Sequence, residues 1–237
     1  MTIQEAILSV RERIGIARAK AGRQDPVCLI GISKTHPAEL IREAWNAGLA
    51  DFGENRVQEA LPKISAVQSG SAIVWHLVGH LQSNKVNKAA PVFDWVHSID
   101  SVETAAHLHR AARAAGRRIH ALVEVNTSGE ESKHGIAPGD AAAFTARLHE
   151  ALAEDLENTA SENGVILSGL MTIGPLGGRE AENRRAFALL REIRERLCGE
   201  WPLCRELSMG MSGDFESAIL EGATMVRVGG AIFGARS

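Results

Sequence analysis

Eight short, almost unbroken apolar runs recur along the chain, at residues 27–33, 50–53, 74–78, 95–98, 120–126, 167–172, 206–209 and 225–228. Continuous rather than alternating hydrophobicity marks strands covered on both faces, as in a parallel sheet. Helical patterns separate most of them, at 37–47, 102–115, 140–152, 180–197 and 215–221, with Gly48 and Gly116 as stops and Ser101 as an N-cap. Regular alternation of strand and helix predicts crossover connections in one parallel sheet. Eight such units with no surplus chain favour an α/β fold closed as a single (β/α)8 barrel of the TIM type. An open doubly wound sheet is the competing architecture.

One further helix precedes the first strand. Thr2 and Glu5 have capping-box spacing, and Ile3, Ile7, Val10, Ile14 and Ala17 form one apolar stripe that Gly22 ends. Residues 1–22 are therefore expected to pack outside the barrel, over its bottom. Residues 154–164 read as a polar loop extending the fifth helix, and 175–178 as a flexible loop after the sixth strand. Neither resembles a linker, so residues 1–237 are expected to form one domain.

Composition narrows the function by exclusion. A formal charge of −3 offers no polyanion-binding surface, so nucleic acid is not an expected partner. Cys28, Cys198 and Cys204 have no metal-binding spacing, and their odd number without a secretory signal suits a reducing cytoplasm. No run approaches the roughly 18 apolar residues of a membrane span, and residues 1–22 lack the marks of a targeting peptide. The Glu/Arg-rich stretch 184–196 reads as a solvated helix face, consistent with a monomer.

In barrels of this kind the working groups sit at the C-terminal ends of the strands, and phosphate is often held after strands seven and eight. Of the six lysines (20, 34, 63, 85, 88 and 133), Lys34 alone directly follows a buried-strand pattern, CLIGIS. Apolar walls lower an ammonium's pKa and free the amine to attack a carbonyl as a Schiff-base nucleophile. The plain alternative is a lysine that snorkels from the mouth without a role. Strand seven runs into Ser208-Met209-Gly210-Met211-Ser212-Gly213-Asp214, and strand eight into Arg227-Val228-Gly229-Gly230-Ala231. Glycines with small hydroxyl residues at strand ends let backbone N–H groups approach an anion, although any one of these glycines alone is as well read as a turn. Glu54, Asn55, His76, His80, Gln82, Asn84, Asn126, Lys133 and His134 also fall at or near strand ends, in no spacing of a known zinc cage. An imine lysine facing a phosphate site also suits a class I aldolase acting on a sugar phosphate.

The segments ISKTHP around Lys34, FGENRVQE at 52–59, WHLVGHLQSNK at 75–85, VNTSGEESKHG at 125–135, SGLMTIG at 168–174, LSMGMSGDFESAI at 207–219 and MVRVGGAIFGAR at 225–236 occur in order. From about residue 27 onward the chain resembles the pyridoxal phosphate homeostasis protein family, which is similar to the barrel domain of alanine racemase. The resemblance implies that Lys34 holds pyridoxal 5'-phosphate as a Schiff base. It also implies that Ser212, Gly229 and Gly230 cradle the phosphate and that Arg227 faces the pyridine nitrogen. Asn55 lies near the ring, with His76 a further candidate for that wall. A guanidinium stays protonated, so the ring nitrogen beside it stays unprotonated and the cofactor is a weak electron sink. Two departures stand out: THP follows Lys34 where a second lysine is commoner, and Gly230 replaces a frequent threonine or serine, which removes a hydroxyl from the cradle.

The resemblance implies a carrier that stores or delivers the cofactor without turnover, with pyridoxal phosphate-dependent apoenzymes as transient recipients. The alternative is an amino-acid racemase of the alanine racemase type, which needs acid/base groups on both faces of the substrate. In alanine racemase a tyrosine supplies one of them and a second β-domain completes the site. This chain contains no tyrosine, and no second domain is expected after strand eight. Cys28 is expected inside strand one and Cys204 near a strand start, so neither is placed to substitute. Lys133 is a candidate second imine site, or simply a solvated loop residue.

Overall fold

The computed structural model describes residues 1–67, 72–153 and 163–234. Its strands are β1 Cys28–Ile32, β2 Asp51–Glu54, β3 Val74–Leu77, β4 Trp95–Ile99, β5 Arg118–Glu124, β6 Gly164–Met171, β7 Glu206–Met211 and β8 Met225–Val228. All pair in parallel in sequence order, and β8 returns to pair with β1, so the sheet is a closed barrel and not an open one. Each expected strand is present. The largest difference lies in β6, which begins at Gly164, a position the sequence pattern assigns to a loop. Gly164 adopts φ +126, and the β5–β6 ladder starts there, opposite Arg118. Residues 154–162 of that expected loop lie outside the described residues.

The flanking helices are α1 Ile3–Lys20, α2 Ala38–Asn46, α3 Val57–Val67, α4 Val86–Ala89, α5 Val102–Ala114, α6 Ala141–Ala153, α7 Glu180–Cys198, α8 Phe215–Leu220 and α9 Gly230–Phe233. In α1 both capping-box hydrogen bonds form, and Ile3, Ile7, Val10, Ile14 and Ala17 are buried on one face. The helix packs outside the barrel against α2, α8 and α9. Ser101 caps α5 by accepting a hydrogen bond from the Thr104 N–H. The sequence pattern does not mark α3, because Pro62 stands inside it. Proline removes one i→i−4 bond. The helix forms because Val57, Ala60, Ile64 and Val67 fall at helical spacing and bury against the sheet. No helix among the described residues is long and apolar enough to cross a membrane.

The main core lies between the sheet and the helices, with Phe52, Phe93, Phe187 and Phe215 fully buried in it. A smaller apolar layer of Ile30, Ile32, Leu122, Met171 and Met225 fills part of the lumen. The rest of the lumen is polar. Gly210 near the end of β7 lets α8 come close. It adopts φ +91, and a Cβ there would lie 2.6 Å from the Ala218 Cβ and 2.8 Å from the Phe215 Cα.

Candidate functional site

Lys34 lies two residues past the end of β1, at the C-terminal end of the barrel. Cys28, Ile30 and Ile32 belong to the lumen layer, so the inward face of β1 leads up to the turn that holds Lys34. Lys34 is half-buried in the turn after β1. The next residue, Thr35, has φ +67, a left-handed conformation that costs a non-glycine residue roughly 1 kcal/mol. A polar knot holds this turn. The Thr35 N–H donates to Glu59, and Lys63 of α3 donates to the Ser33 carbonyl (2.9 Å), to both Glu54 oxygens (2.9 and 3.1 Å) and to Glu59 (2.9 Å). The Ser33 hydroxyl donates to Glu54 at 2.6 Å. Burial pushes the Glu54 carboxyl up, while Ser33 and Lys63 pull it back toward the charged form. The ends of β1 and β2 and one face of α3 are thus tied through a single ammonium group.

Arg227 enters the same lumen from the other side of the closing seam. Ile30 pairs with Arg227 in the β1–β8 ladder, so Lys34 leaves the sheet four positions beyond that level. The guanidinium is buried, donating to Ser208 Oγ at 2.6 Å and to the Thr172 carbonyl at 2.8 Å. Those bonds engage two of its five N–H donors. Burial lowers its pKa to about 10, and Glu124 and Asp214 oppose that fall, so it remains protonated at neutral pH. Burial and the negative charge of Asp100 raise Glu124 to about 7, against the pull of Arg227. Asp214, which accepts the Met211 N–H, is likewise raised by burial.

From Arg227 a hydrogen-bond chain descends through the barrel. Ser208 Oγ lies 2.9 Å from His97 Nδ1, His97 Nε2 lies 2.9 Å from His76 Nδ1, and His76 Nε2 lies 3.0 Å from Asp51 Oδ1. Its polarity follows from its two ends, an arginine that can only donate and the Asp51 carboxylate, which can only accept, with one ring hydrogen on each histidine between them. Ser208 therefore accepts from Arg227 and gives its own proton to His97 Nδ1. His97, held neutral by burial and by the nearby Arg227 and His76, must carry its hydrogen on Nε2. It donates to His76 Nδ1, and His76 Nε2–H then donates to Asp51. Every link points from the cation to the carboxylate at the bottom of the barrel.

The structure brings Ser212 and Gly229 together, with the Gly229 N–H donating to Ser212 Oγ at 3.3 Å. Gly230 opens α9, and nothing lies within 4 Å of a Cβ built on it. Asn55 follows β2 and packs on Gly79, where a Cβ would fall 2.2 Å from the Asn55 carbonyl oxygen. Asn55 also lines a cavity of about 790 Å³ shared with Arg56, His80, Lys85 and His134. His76 is placed inside the lumen with both ring nitrogens engaged, so its tie to Arg227 runs through His97 and Ser208. Lys133 is not a solvated loop residue. Its ammonium donates to the Gly174 carbonyl at 2.6 Å and to Glu130 at 3.2 Å. Cys28 begins β1 and Cys204 precedes β7, both at the end of the barrel opposite Lys34, and burial pushes both thiols up.

Sequence reasoning missed Ser208, His97 and Thr172 as supports of Arg227, and Lys63 as the anchor of the Lys34 turn. Lys63 lies four residues after Glu59 on one helix face, a spacing visible in the sequence. Ser208 and His97 are 111 residues apart, and nothing local announces their contact.

Known proteins share this arrangement of strands and much of its sequence. Residues 9–237 match the family model described as the alanine racemase N-terminal domain. The chain is 44% identical over 237 residues to a pyridoxal phosphate homeostasis protein of Pseudomonas aeruginosa, covering 99% of this chain and 96% of that one. The structure of PipY from Synechococcus elongatus without PLP superposes with a TM-score of 0.84 at 40% identity, over 98% of this chain and 100% of PipY. PipY with PLP bound gives a TM-score of 0.79 at 38% identity over the same shares.

Proposed function

The chain belongs to the pyridoxal phosphate homeostasis protein family, built on the alanine racemase N-terminal domain, and on that premise we propose that it binds pyridoxal 5'-phosphate covalently at Lys34 and acts as a carrier of it. The observation that carries the reading is the closing seam. Lys34 past β1 and Arg227 on β8 are carried by the two strands that close the barrel, and the Ser212–Gly229 contact adjoins the same end of β8.

The residues present suit such a group. Ser212, Gly229 and Gly230 offer a hydroxyl and backbone N–H donors to a phosphate, and the open space at Gly230 leaves room for one. When bound, the cofactor supplies an aldehyde carbon that bonds a lysine amine and a pyridine ring that draws off electrons. Lys34 provides the amine, and the Lys63 knot sets the direction of its turn. Arg227 stays protonated and is pinned by Ser208 and Thr172, and its remaining donors would serve the ring nitrogen of a bound cofactor. An arginine there keeps that nitrogen unprotonated and weakens the electron sink, which suits holding the cofactor more than turning over an amino acid. Asn55, just past β2, supplies a polar edge on the wall next to the Lys34 turn. Delivery to apoenzymes through transient contact, a cytoplasmic location and a monomeric state complete the reading.

The test is visible absorption of the purified protein with pyridoxal phosphate, before and after borohydride reduction, in wild type and Lys34→Ala. A band fixed by borohydride and missing in the variant supports attachment at Lys34. No band in wild type with added cofactor sinks the reading and favours a sugar-phosphate aldolase. Incubation of the loaded protein with L-alanine separates carrier from racemase, since D-alanine formation contradicts the carrier reading.

A further inference from the structure

The loops after β3, β4 and β5 follow neighbouring strands, so residues far apart in sequence meet at one side of the mouth. His80, Asp100 and His134 come from these three loops, and one ligating atom from each lies within 4.8 Å of the others. His80 Nδ1 stands 3.3 Å from Asp100 Oδ2, and the His80 and His134 rings stack with centroids 4.5 Å apart. The geometry points to a divalent-cation site, in which the two imidazoles and the carboxylate bind one first-row transition-metal ion such as zinc.

Three features support it. The donor set is right: neutral imidazole nitrogens and a carboxylate oxygen are the usual partners of such ions, at bond lengths of about 2.0–2.2 Å. Tetrahedral ligands at those lengths sit roughly 3.4 Å apart, so side-chain rotation has to close the present spacing by only about 1–1.5 Å. Both histidines are exposed, so their rings are able to turn until the lone pairs converge.

The backbone that carries them is already anchored. Next to His80, the Gly79 carbonyl accepts the Ser98 hydroxyl at 2.7 Å, tying the β3 loop to β4. On one side of His134 Lys133 is bonded to Gly174. On the other Gly135, at φ +104, packs against Glu124 and Asn126, where a Cβ would lie 3.0 Å from the Asn126 nitrogen. Asn126 folds the same loop by donating to the Glu130 carbonyl at 2.9 Å and accepting from Ser128 and Gly129 at 3.0 and 3.1 Å.

Three protein ligands leave a coordination position open. His80 and His134 both line the cavity of about 790 Å³, so that position faces space a small molecule fills. Arg56 and Lys85 share the wall and suit an anionic fourth ligand, a carboxylate or a phosphate oxygen. The ligands lie 20 and 34 residues apart in sequence (80 to 100, 100 to 134), which is why no short motif reveals them.

The experiment uses the full chain without an affinity tag, stripped with chelator and titrated with Co²⁺ as a spectroscopic probe. One equivalent is expected to give d–d absorption that Zn²⁺ abolishes by displacement. His80→Ala, His134→Ala and Asp100→Asn are each expected to weaken binding at least about tenfold, with far-UV circular dichroism unchanged. Lys34→Ala is expected to leave the cobalt spectrum intact, so the site stands or falls independently of the cofactor reading. No band at one equivalent, or a band indifferent to His134→Ala, overturns the assignment.

Discussion

Replacing Ser208 with alanine cuts the lumen chain at its only hydroxyl. Ser208 is fully buried, and its oxygen both accepts from Arg227 at 2.6 Å and donates to His97 Nδ1 at 2.9 Å. The substitution therefore orphans two buried groups at once. Losing a hydrogen bond from a charged donor costs about 1.5–3 kcal/mol, and an unsatisfied buried acceptor about 1–3 kcal/mol. Water does not readily fill the gap, because His97 and Ser208 have no exposed surface, so a destabilisation of about 3–5 kcal/mol is expected. Urea unfolding of the cofactor-free protein at neutral pH measures it. Nitrogen-15 spectra of the histidine rings test the polarity independently: in wild type His76 and His97 both carry hydrogen on Nε2, whereas in Ser208→Ala the tautomer of His97 is no longer dictated. A loss below about 1 kcal/mol, or Nδ1-protonated His97 in wild type, refutes the directed chain.

Glu124→Gln should change how stability depends on pH. Its native value of about 7 lies above the ordinary 4.5, so the folded protein binds this proton more tightly than the unfolded chain does. The resulting stabilisation is complete below pH 4.5 and disappears as pH rises to 7, a decline of ~3 kcal/mol that the glutamine variant lacks. Urea midpoints from acid to mildly alkaline pH that run parallel for the two proteins would contradict it. Lys63→Met strands the fully buried Glu54 carboxylate and is expected to cost about 3–5 kcal/mol, most of it recovered by adding Glu54→Gln. Equal stability of the single and double variants would show that the knot does not hold the Lys34 turn. Gly230→Ser meets no atom within 4 Å of its Cβ, so it should fold normally. It should also tighten pyridoxal phosphate binding by roughly tenfold in equilibrium dialysis, the worth of one hydrogen bond to a charged group, and unchanged affinity would remove Gly230 from the cradle.

The barrel was legible because both-face burial writes itself into each strand separately. CLIGI and MVRV are apolar almost throughout, whatever lies elsewhere in the chain. The position of Lys34 past the end of a buried strand was legible for the same reason, being defined by the strand immediately before it. What was hidden depends on distant partners or on a local signal that packing overrides. Pro62 disfavours helix locally, and only burial of Val57, Ala60 and Ile64 outweighs that cost. His76 looks like any histidine in an apolar strand. Its meaning arises from His97, 21 residues on, and from Asp51, 25 residues back. Glu124 ends an apolar run, and its raised pKa comes from burial and from Asp100, neither of which is a property of the run itself.

The seam between β1 and β8 gives the protein a sense of its own completion. Lys34 and Arg227 become neighbours only when the last strand docks on the first. A ligand that bridges them has nothing to grip until β8 has docked on β1. Because it binds the closed barrel and not the open one, it stabilises closure by mass action and acts as a latch on the most sequence-distant strand pair of the barrel. The supply of such a ligand then biases the chain toward the closed barrel by the same linkage.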